Sequence, residues 1–296
     1  MKIICVLGGT GFVGHTIVNK LSAAGYKVKV LTRNCQKSKH LVHVKNVQVI
    51  ECNVLNDQAL KQSLQSATAV INLIGILHED KKQTFETIHA ELPKRLVKIC
   101  ADLGINRILH MSALQARIDA PSSYLRSKAH GEEAICVYQN KINITIFRPS
   151  VIFGACDNFL NLFAKLIKFL PVILLAKPNA KFQPIYVEDV ASAFVGALEE
   201  ETTYGKTYEL AGPKQYTLRE LIQIVGKTLN KHRLIIGLGN KLSYAQAFMM
   251  ELLPVKLMTC DNLKSMEVDS VSNQNIPDYL NFQPKALEEV LSGYIH

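Results

Sequence analysis

Apolar positions along this chain fall into two alternating rhythms. Six short runs rich in Val and Ile, KIICVLG, YKVKVLT, VQVIECN, TAVINLIG, RILHMS and ITIFRP, read as strands. Between them, VGHTIVNKLSAAG, DQALKQSLQ, FETIHAELPKRLVKICADLG and YLRSKAHGEEAICVYQN carry helical spacing. Three of these end near a glycine or asparagine, a usual stop signal. Strands alternating with helices predict an α/β fold with a parallel sheet covered on both faces. Right-handed crossovers make it doubly wound, the Rossmann-type arrangement.

After residue 150 the alternation loosens. Phe159–Leu170 reads as an amphipathic helix, and QPIYVEDVASAFVGALEE as a strand entering a helix with Glu188 or Asp189 near its N-cap. YTLRELIQIVGKTLN is a further helix, with Thr217 and Glu220 at capping-box spacing. The expectation is a core over residues 1–150 and a smaller, mainly helical portion over 151–296. That portion would pack on the C-terminal edge of the sheet within a single structural unit.

Composition narrows the setting. The chain has 296 residues, 48% of them hydrophobic, enough for a sizeable core. Its seven cysteines are scattered without C-x-x-C spacing, which suits free thiols in a reducing compartment. The first apolar run gives way to glycines after five residues, so no leader peptide is expected. No stretch of about 20 apolar residues suggests a membrane span. A cytoplasmic location follows as the expectation, with peripheral contact at the inner face of the cytoplasmic membrane as its extension. The net charge is +9, and residues 1–50 hold eight Lys or Arg and no Asp or Glu. That field suits a phosphorylated small molecule or an acidic surface. No nucleic-acid-binding motif accompanies it, so nucleic acid is not expected as a partner.

The first run ends in LGGTGFVG and opens a helical pattern. At such a junction Gly8 allows a tight turn, Gly11 lets backbone approach a pyrophosphate, and Gly14 lets helix pack on strand. The helix N-terminus then offers free N–H groups to the anion. The second strand ends in VLTRNCQKSKH, with Arg33, Lys37 and Lys39 and no acid before Glu51. A carboxylate there would bind the 2′-hydroxyl of NAD, whereas arginine accepts the 2′-phosphate of NADP. NADP(H) is therefore favoured over NAD(H), with Arg33 the main candidate and Lys37 and Lys39 open to reading as solvated loop charges.

SYLRSK places Tyr124 and Lys128 four residues apart at a predicted helix start, on one face. A nearby ammonium is expected to lower the phenol pKa and make Tyr124 an acid or base.

Taken in order, GGTGFVG, the basic end of strand two, NLIG, YLRSK, and RPSVIFG with VEDVA resemble the extended or atypical short-chain dehydrogenases/reductases. More narrowly, GILHEDKKQTFETIH, LHMSALQA, SYLRSKAHGE, FRPSVIFG, DNFLNLFA and FQPIYVEDVA resemble the NADPH-binding accessory subunits of mitochondrial complex I and their bacterial relatives. That subgroup also includes proteins tied to ubiquinone synthesis. The resemblance implies that Gly8, Thr10, Gly11, Phe12 and Val13 line the pyrophosphate. It sets Asn53 and Val54 by the adenine, and Leu73, Ile74 and Gly75 along the ribose. Pro149, Ser150 and Val151 face the nicotinamide amide, and Lys128 bonds the nicotinamide ribose. It also implies a catalytic serine after strand five, at Ser112 or Ala113 according to register. The tetrad asparagine falls on His89, and the adenine-side aspartate is replaced by Asn53.

Two readings follow. In one, Tyr124, Lys128 and Ser112 serve NADP(H)-dependent oxidoreductase or epimerase/dehydratase chemistry on a small molecule that the sequence does not name. In the other, the cofactor stabilises a non-catalytic accessory or assembly protein of a respiratory or quinone-biosynthesis complex. Two apolar, lysine-flanked stretches, Phe159–Ala176 and Leu242–Met258, read as core packing or as a surface for membrane or partner. His78-Glu79-Asp80 reads as a polar loop or a substrate contact, and Asp157-Asn158 as a possible substrate entrance. Asp189 reads as a helix cap first. His40 and His43 lack a third ligand nearby, so no metal is expected.

Overall fold

The computed structural model describes residues 1–252, 257–274, 276–277, 279–280 and 283–295, without the side chains of residues 37, 39 and 40. The predicted strands form at Ile3–Leu7 (β1), Lys27–Thr32 (β2), Val47–Glu51 (β3), Ala69–Asn72 (β4), Arg107–Met111 (β5) and Asn143–Pro149 (β6). With the strand Thr207–Leu210 they make a seven-stranded sheet in the order β3-β2-β1-β4-β5-β6 and then Thr207–Leu210. Every pairing in it is parallel. The order reverses between β1 and β4, which opens the crevice where α/β sheets take ligands.

Alternation decides which residue faces which layer. In β1, Ile4 and Val6 join the core on one face, with Ile17 and Val18 of the Phe12–Ala23 helix. Cys5 and Leu7 join the core on the other, with Leu60, Leu64 and Leu96. The central strands β1, β4 and β5 are covered on both faces, whereas β2 and β3 carry Lys27, Gln48 and Glu51 exposed toward the sheet's edge.

Beyond residue 150 the chain leaves the sheet and returns to it. The Val187–Gly196 helix packs Val190 and Phe194 into the first core, and Thr207–Leu210 becomes the edge strand. A third core, with Leu160, Ile167, Phe182, Leu221 and Val225, holds the C-terminal portion together. The predicted capping box forms at the Leu218–Thr228 helix, with Thr217 and Glu220 bonding each other's backbone N–H. Asp189 does not cap its helix: Tyr186 occupies the N-cap, and the Asp189 carboxylate accepts from Lys285 N at 2.9 Å. Glu188 instead pairs with Lys20 at 3.0 Å.

The helix expected over 85–104 departs from regular winding. Glu86–Glu91 is a π-turn that runs into the α-helix Leu92–Asp102. Proline supplies the reason. Pro93 has no N–H to donate to the carbonyl four residues back, which is that of His89. The ladder widens there, and Leu92 N bonds Thr87 O.

Candidate functional site

The glycine loop lies at the β1 end of the crevice. Gly8 has φ +80°, a left-handed conformation that a side chain would strain. Gly11 N donates to Gly8 O at 3.1 Å and closes the turn. A Cβ on Gly14 would lie 2.2 Å from Gly8 O, so strand and helix touch there backbone to backbone. A Cβ on Gly11 would meet only Gly8 O, at 3.3 Å, which leaves the outer surface of the loop open. No side chain caps the Phe12–Ala23 helix, and no acid stands in its first turn. Thr10 flanks this open N-terminus, Val13 is buried beneath it, and the Phe12 ring packs where a Cβ on Gly154 would come within 3.2 Å.

The ends of the neighbouring strands border the same crevice. Leu73 N bonds Leu7 O at 2.9 Å, and Ile74 N takes the Asn72 side chain at 3.2 Å. Asn53 is exposed and its amide oxygen accepts from Leu55 N at 3.1 Å, with Val54 buried beside it. Arg33 is exposed just past β2 and helps hold the Asp80 carboxyl below its usual range, after the stronger bonds from Lys82 N and Gln83 N. Lys37 and Lys39 have side chains outside the described residues. Pro149 O accepts from Leu114 N, and Val151 O from Ile185 N. Ser150 is committed elsewhere: its N–H bonds Leu210 O, and its hydroxyl donates to Ser270 O at 2.9 Å.

Tyr124 and Lys128 lie one turn apart on the Ser123–Cys136 helix, as the spacing predicts. Lys128 is buried, and its Nζ donates to Met111 O at 3.2 Å. A Cβ on Gly75 would come within 3.1 Å of that Nζ, so the lysine head meets the end of β4. Burial lowers the Lys128 ammonium to about 8, against a rise from Glu132. Tyr124 departs from the sequence expectation. Its phenol is raised to about 12 by burial, with no compensating drop from Lys128. Desolvation is the larger effect here, and the phenol keeps its proton.

The sequence did not foreshadow how His89 is used. Its Nε2 accepts from Ile76 N at 3.0 Å. Burial, then Lys128, then His110 lower its pKa to about 2, so the ring is neutral. The acceptor at Nε2 therefore puts the proton on Nδ1, which donates to Ser127 Oγ at 2.9 Å. Ser127 donates onward to Tyr124 O at 2.8 Å. Phe85 stacks on His89, and Tyr124 meets both rings edge-on, with centroids 5.8 and 5.4 Å away. The carbonyl freed by Pro93 serves the same junction: a Cβ on Gly131 would lie 1.9 Å from His89 O. Only glycine lets the tyrosine helix come this close.

Ser112 and Ala113 are both buried but meet different surroundings. Tyr124 packs against a small apolar cluster of Ala113, Ala120 and Leu125. Ser112 is buried, and its hydroxyl has no hydrogen-bond partner. An unsatisfied buried hydroxyl costs about 1–3 kcal/mol, a penalty that an acceptor on a bound molecule would relieve.

The C-terminal portion closes over this corner. Asp261 accepts from Ser123 N at 2.8 Å and Tyr124 N at 3.0 Å, capping the tyrosine helix from 137 residues away. Val268 packs beside Tyr124. Asp261→Ala should cost about 1–2 kcal/mol in urea unfolding, the loss of one helix cap. Two further polar stretches singled out in the sequence make local contacts. Asp80 and Glu79 accept from Gln83 N and Phe85 N and shape their own turn. Asp157 is buried and accepts from Gly154 N and Leu160 N, while Asn158 beside it is exposed.

Residues 4–211 match the model of the NAD dependent epimerase/dehydratase family. Among curated proteins, the chain is 32% identical to the Arabidopsis thaliana NADH dehydrogenase [ubiquinone] 1 alpha subcomplex subunit 9, mitochondrial, covering 99% of this chain and 76% of that one. It is 32% identical to the Mus musculus protein of the same name, over 75% of this chain and 60% of that one. Among solved structures, Pal from Bacillus thuringiensis aligns with a TM-score of 0.78 at 16% identity, over 99% and 97% of the two chains, a likeness of fold. Glycine loop, crevice and family model agree: the chain belongs to the NAD dependent epimerase/dehydratase family.

Proposed function

We propose that this protein binds NADP(H) and uses Tyr124 and Lys128 for oxidoreductase or epimerase/dehydratase-type chemistry on a small carbonyl or alcohol substrate. The observation that carries the reading is the Tyr124–Lys128 pair, with the lysine head against Gly75 at the end of β4. The residues suit the cofactor: the uncapped helix start and the open face of Gly11 leave room and N–H groups for a pyrophosphate. Gly8, Thr10, Gly11, Phe12 and Val13 would hold it, Asn53 and Val54 the adenine, Leu73, Ile74 and Gly75 the ribose. Pro149, Ser150 and Val151 would form the nicotinamide wall, Ser150 without a spare hydroxyl. The chemistry supplied there when a dinucleotide is bound would be hydride exchange.

The remaining work falls to the side chains. Tyr124 gives its proton to the substrate oxygen in the reductive direction, which suits a phenol that burial keeps protonated. Lys128 would hold the ribose and, as an ammonium, would stabilise the tyrosinate left behind. Ser112 offers its unpartnered hydroxyl to the same oxygen. Arg33 sets the preference for the 2′-phosphate. Arg33→Glu should weaken NADPH binding by roughly ten- to a hundredfold, the worth of one charge-assisted contact, and leave NADH binding nearly unchanged. Titration of both cofactors checks this, and equal losses would end the NADP(H) assignment.

A second reading is favoured by the similarity to respiratory-complex subunits. In it the protein is an NADPH-stabilised accessory or assembly factor of a respiratory or ubiquinone-biosynthesis complex, peripheral at the inner face of the cytoplasmic membrane. NADPH that stays bound and unoxidised through a substrate screen, with co-purification of a membrane complex, would select it.

A further inference from the structure

Among the described residues, the C-terminal portion carries an apolar face that no other segment covers. The strands Val172–Leu175 and Leu234–Gly237 pair in parallel, so Leu234 stands opposite Val172 and Ile236 opposite Leu174. Ile173 and Leu175 turn into the third core, whereas Leu174 and Leu234 are 53% and 61% exposed. A ribbon with water on its outer side would be polar there. The Asn240–Glu251 helix lies alongside, tied by Gln246 Nε2 to Leu174 O at 3.0 Å. Its layout is inverted: small Ser243 and Ala247 are buried, while Leu242, Phe248 and Met249 are exposed. At 3.6 residues per turn, Leu242, Ala245, Phe248, Met249 and Leu252 share one arc of about 120°. Phe169, 81% exposed, stands at the end of the Leu160–Phe169 helix just before the ribbon.

Charge identifies the occupant. Residues 221–250 contain no Asp or Glu, and carry Lys227, Lys231, Arg233 and Lys241. Lys227, Lys231, His232 and Arg233 line a recess of about 270 Å³ beside Ile167, at the start of the ribbon. Arg233 Nε donates to Ile167 O at 2.8 Å, and Lys231 Nζ to Lys168 O at 3.5 Å, which fixes both cations next to the Phe169 end of that helix. Among the described residues, none of Lys165, Lys168, Lys227, Lys231, Arg233 or Lys241 is in an ion pair. Exposed apolar side chains bordered by uncompensated cations suit acyl chains below phosphates.

We propose that this ribbon and helix dock on an anionic lipid bilayer, with Lys227, Lys231 and Arg233 receiving a lipid phosphate. The proposal gives a surface to the membrane side of the second reading and rests on no part of the dinucleotide chemistry.

The test is sedimentation of the full chain with vesicles. Phosphatidylcholine vesicles carrying about one third phosphatidylglycerol should bind it at least about tenfold more tightly than pure phosphatidylcholine, and salt should weaken the binding. The double variant Lys231→Glu/Arg233→Glu should lose about tenfold or more on the anionic vesicles. Phe248→Asp/Met249→Asp should lose binding while keeping its circular dichroism and NADPH affinity. Equal binding to both vesicle types, or anionic binding untouched in both variants, would overturn the proposal. So would a wild-type dimer that binds no vesicles and that Phe248→Asp/Met249→Asp separates, since the face would then join two copies. NADPH binding without vesicle binding rejects this surface alone, and vesicle binding without NADPH binding rejects the dinucleotide reading alone.

Discussion

Gly14→Ala should weaken dinucleotide binding severely. The added methyl carbon would lie 2.2 Å from Gly8 O and 2.6 Å from Gly9 Cα, both backbone atoms that no rotamer change moves aside. Relief requires the Phe12–Ala23 helix to back away from β1. That movement pulls the helix N-terminus from the place where its N–H groups serve a pyrophosphate. It also opens the packing of Ile17 and Val18 against Ile4 and Val6. Overpacking of this kind costs about 1–3 kcal/mol, and the lost helix packing adds to it. The expected result is an NADPH affinity at least roughly a hundredfold weaker, because several backbone hydrogen bonds are displaced together. Urea unfolding should fall by about 2–4 kcal/mol as the same strain is released. Gly25→Ala is the control for glycine loss as such. Gly25 has φ +87° but open space around it, so that variant should lose stability while binding NADPH as before. Normal NADPH binding by Gly14→Ala would remove the glycine loop from the site.

Much of this was legible because it is local. The six N-terminal strands announce themselves in the Val and Ile runs, and the glycines at 8, 11 and 14 sit at a strand-to-helix junction with one physical use. Tyr124 and Lys128 follow from a helical period. What stayed hidden depends on contacts between distant segments. Asp261 reaches the N-terminus of the tyrosine helix from a short helix near the end of the chain, and no spacing rule connects the two. The return of residues 185–211 to the sheet is hidden likewise, since Thr207–Leu210 is a short strand and gains its place only by pairing with β6. The Tyr124 pKa expectation failed for a related reason. Sequence shows the ammonium one turn away but not the burial around the phenol, and burial is the larger effect. The His89 turn lay between these cases. Pro93 four residues after His89 leaves that carbonyl without its usual donor, a cue that the reading of one regular helix over 85–104 passed over. That Gly131 would pack onto it required the fold.

Tyr124→Phe is the substitution that divides the two functional readings, and it should abolish turnover while sparing almost everything else. The ring keeps its edge-on contacts with Phe85 and His89, and the backbone carbonyl that receives Ser127 Oγ is unchanged. Stability should therefore move by less than about 1 kcal/mol, and NADPH affinity by no more than about tenfold, the worth of one neutral hydrogen bond. What disappears is the proton. Phenylalanine cannot supply one to a substrate oxygen, and losing a positioned acid or base typically costs about 10²–10⁴ in rate. Ser112→Ala should cost less, because it removes a hydrogen bond to that oxygen and leaves the proton donor in place. It should also stabilise the ligand-free protein slightly, since the unpartnered buried hydroxyl is gone. A catalyst thus predicts a steep loss for Tyr124→Phe and a shallower one for Ser112→Ala, both at near-normal cofactor binding. An accessory protein held together by its cofactor predicts that Tyr124→Phe behaves like wild type in cells while Gly14→Ala does not. Pairing these two variants in one complementation assay separates a cofactor that reacts from one that only binds.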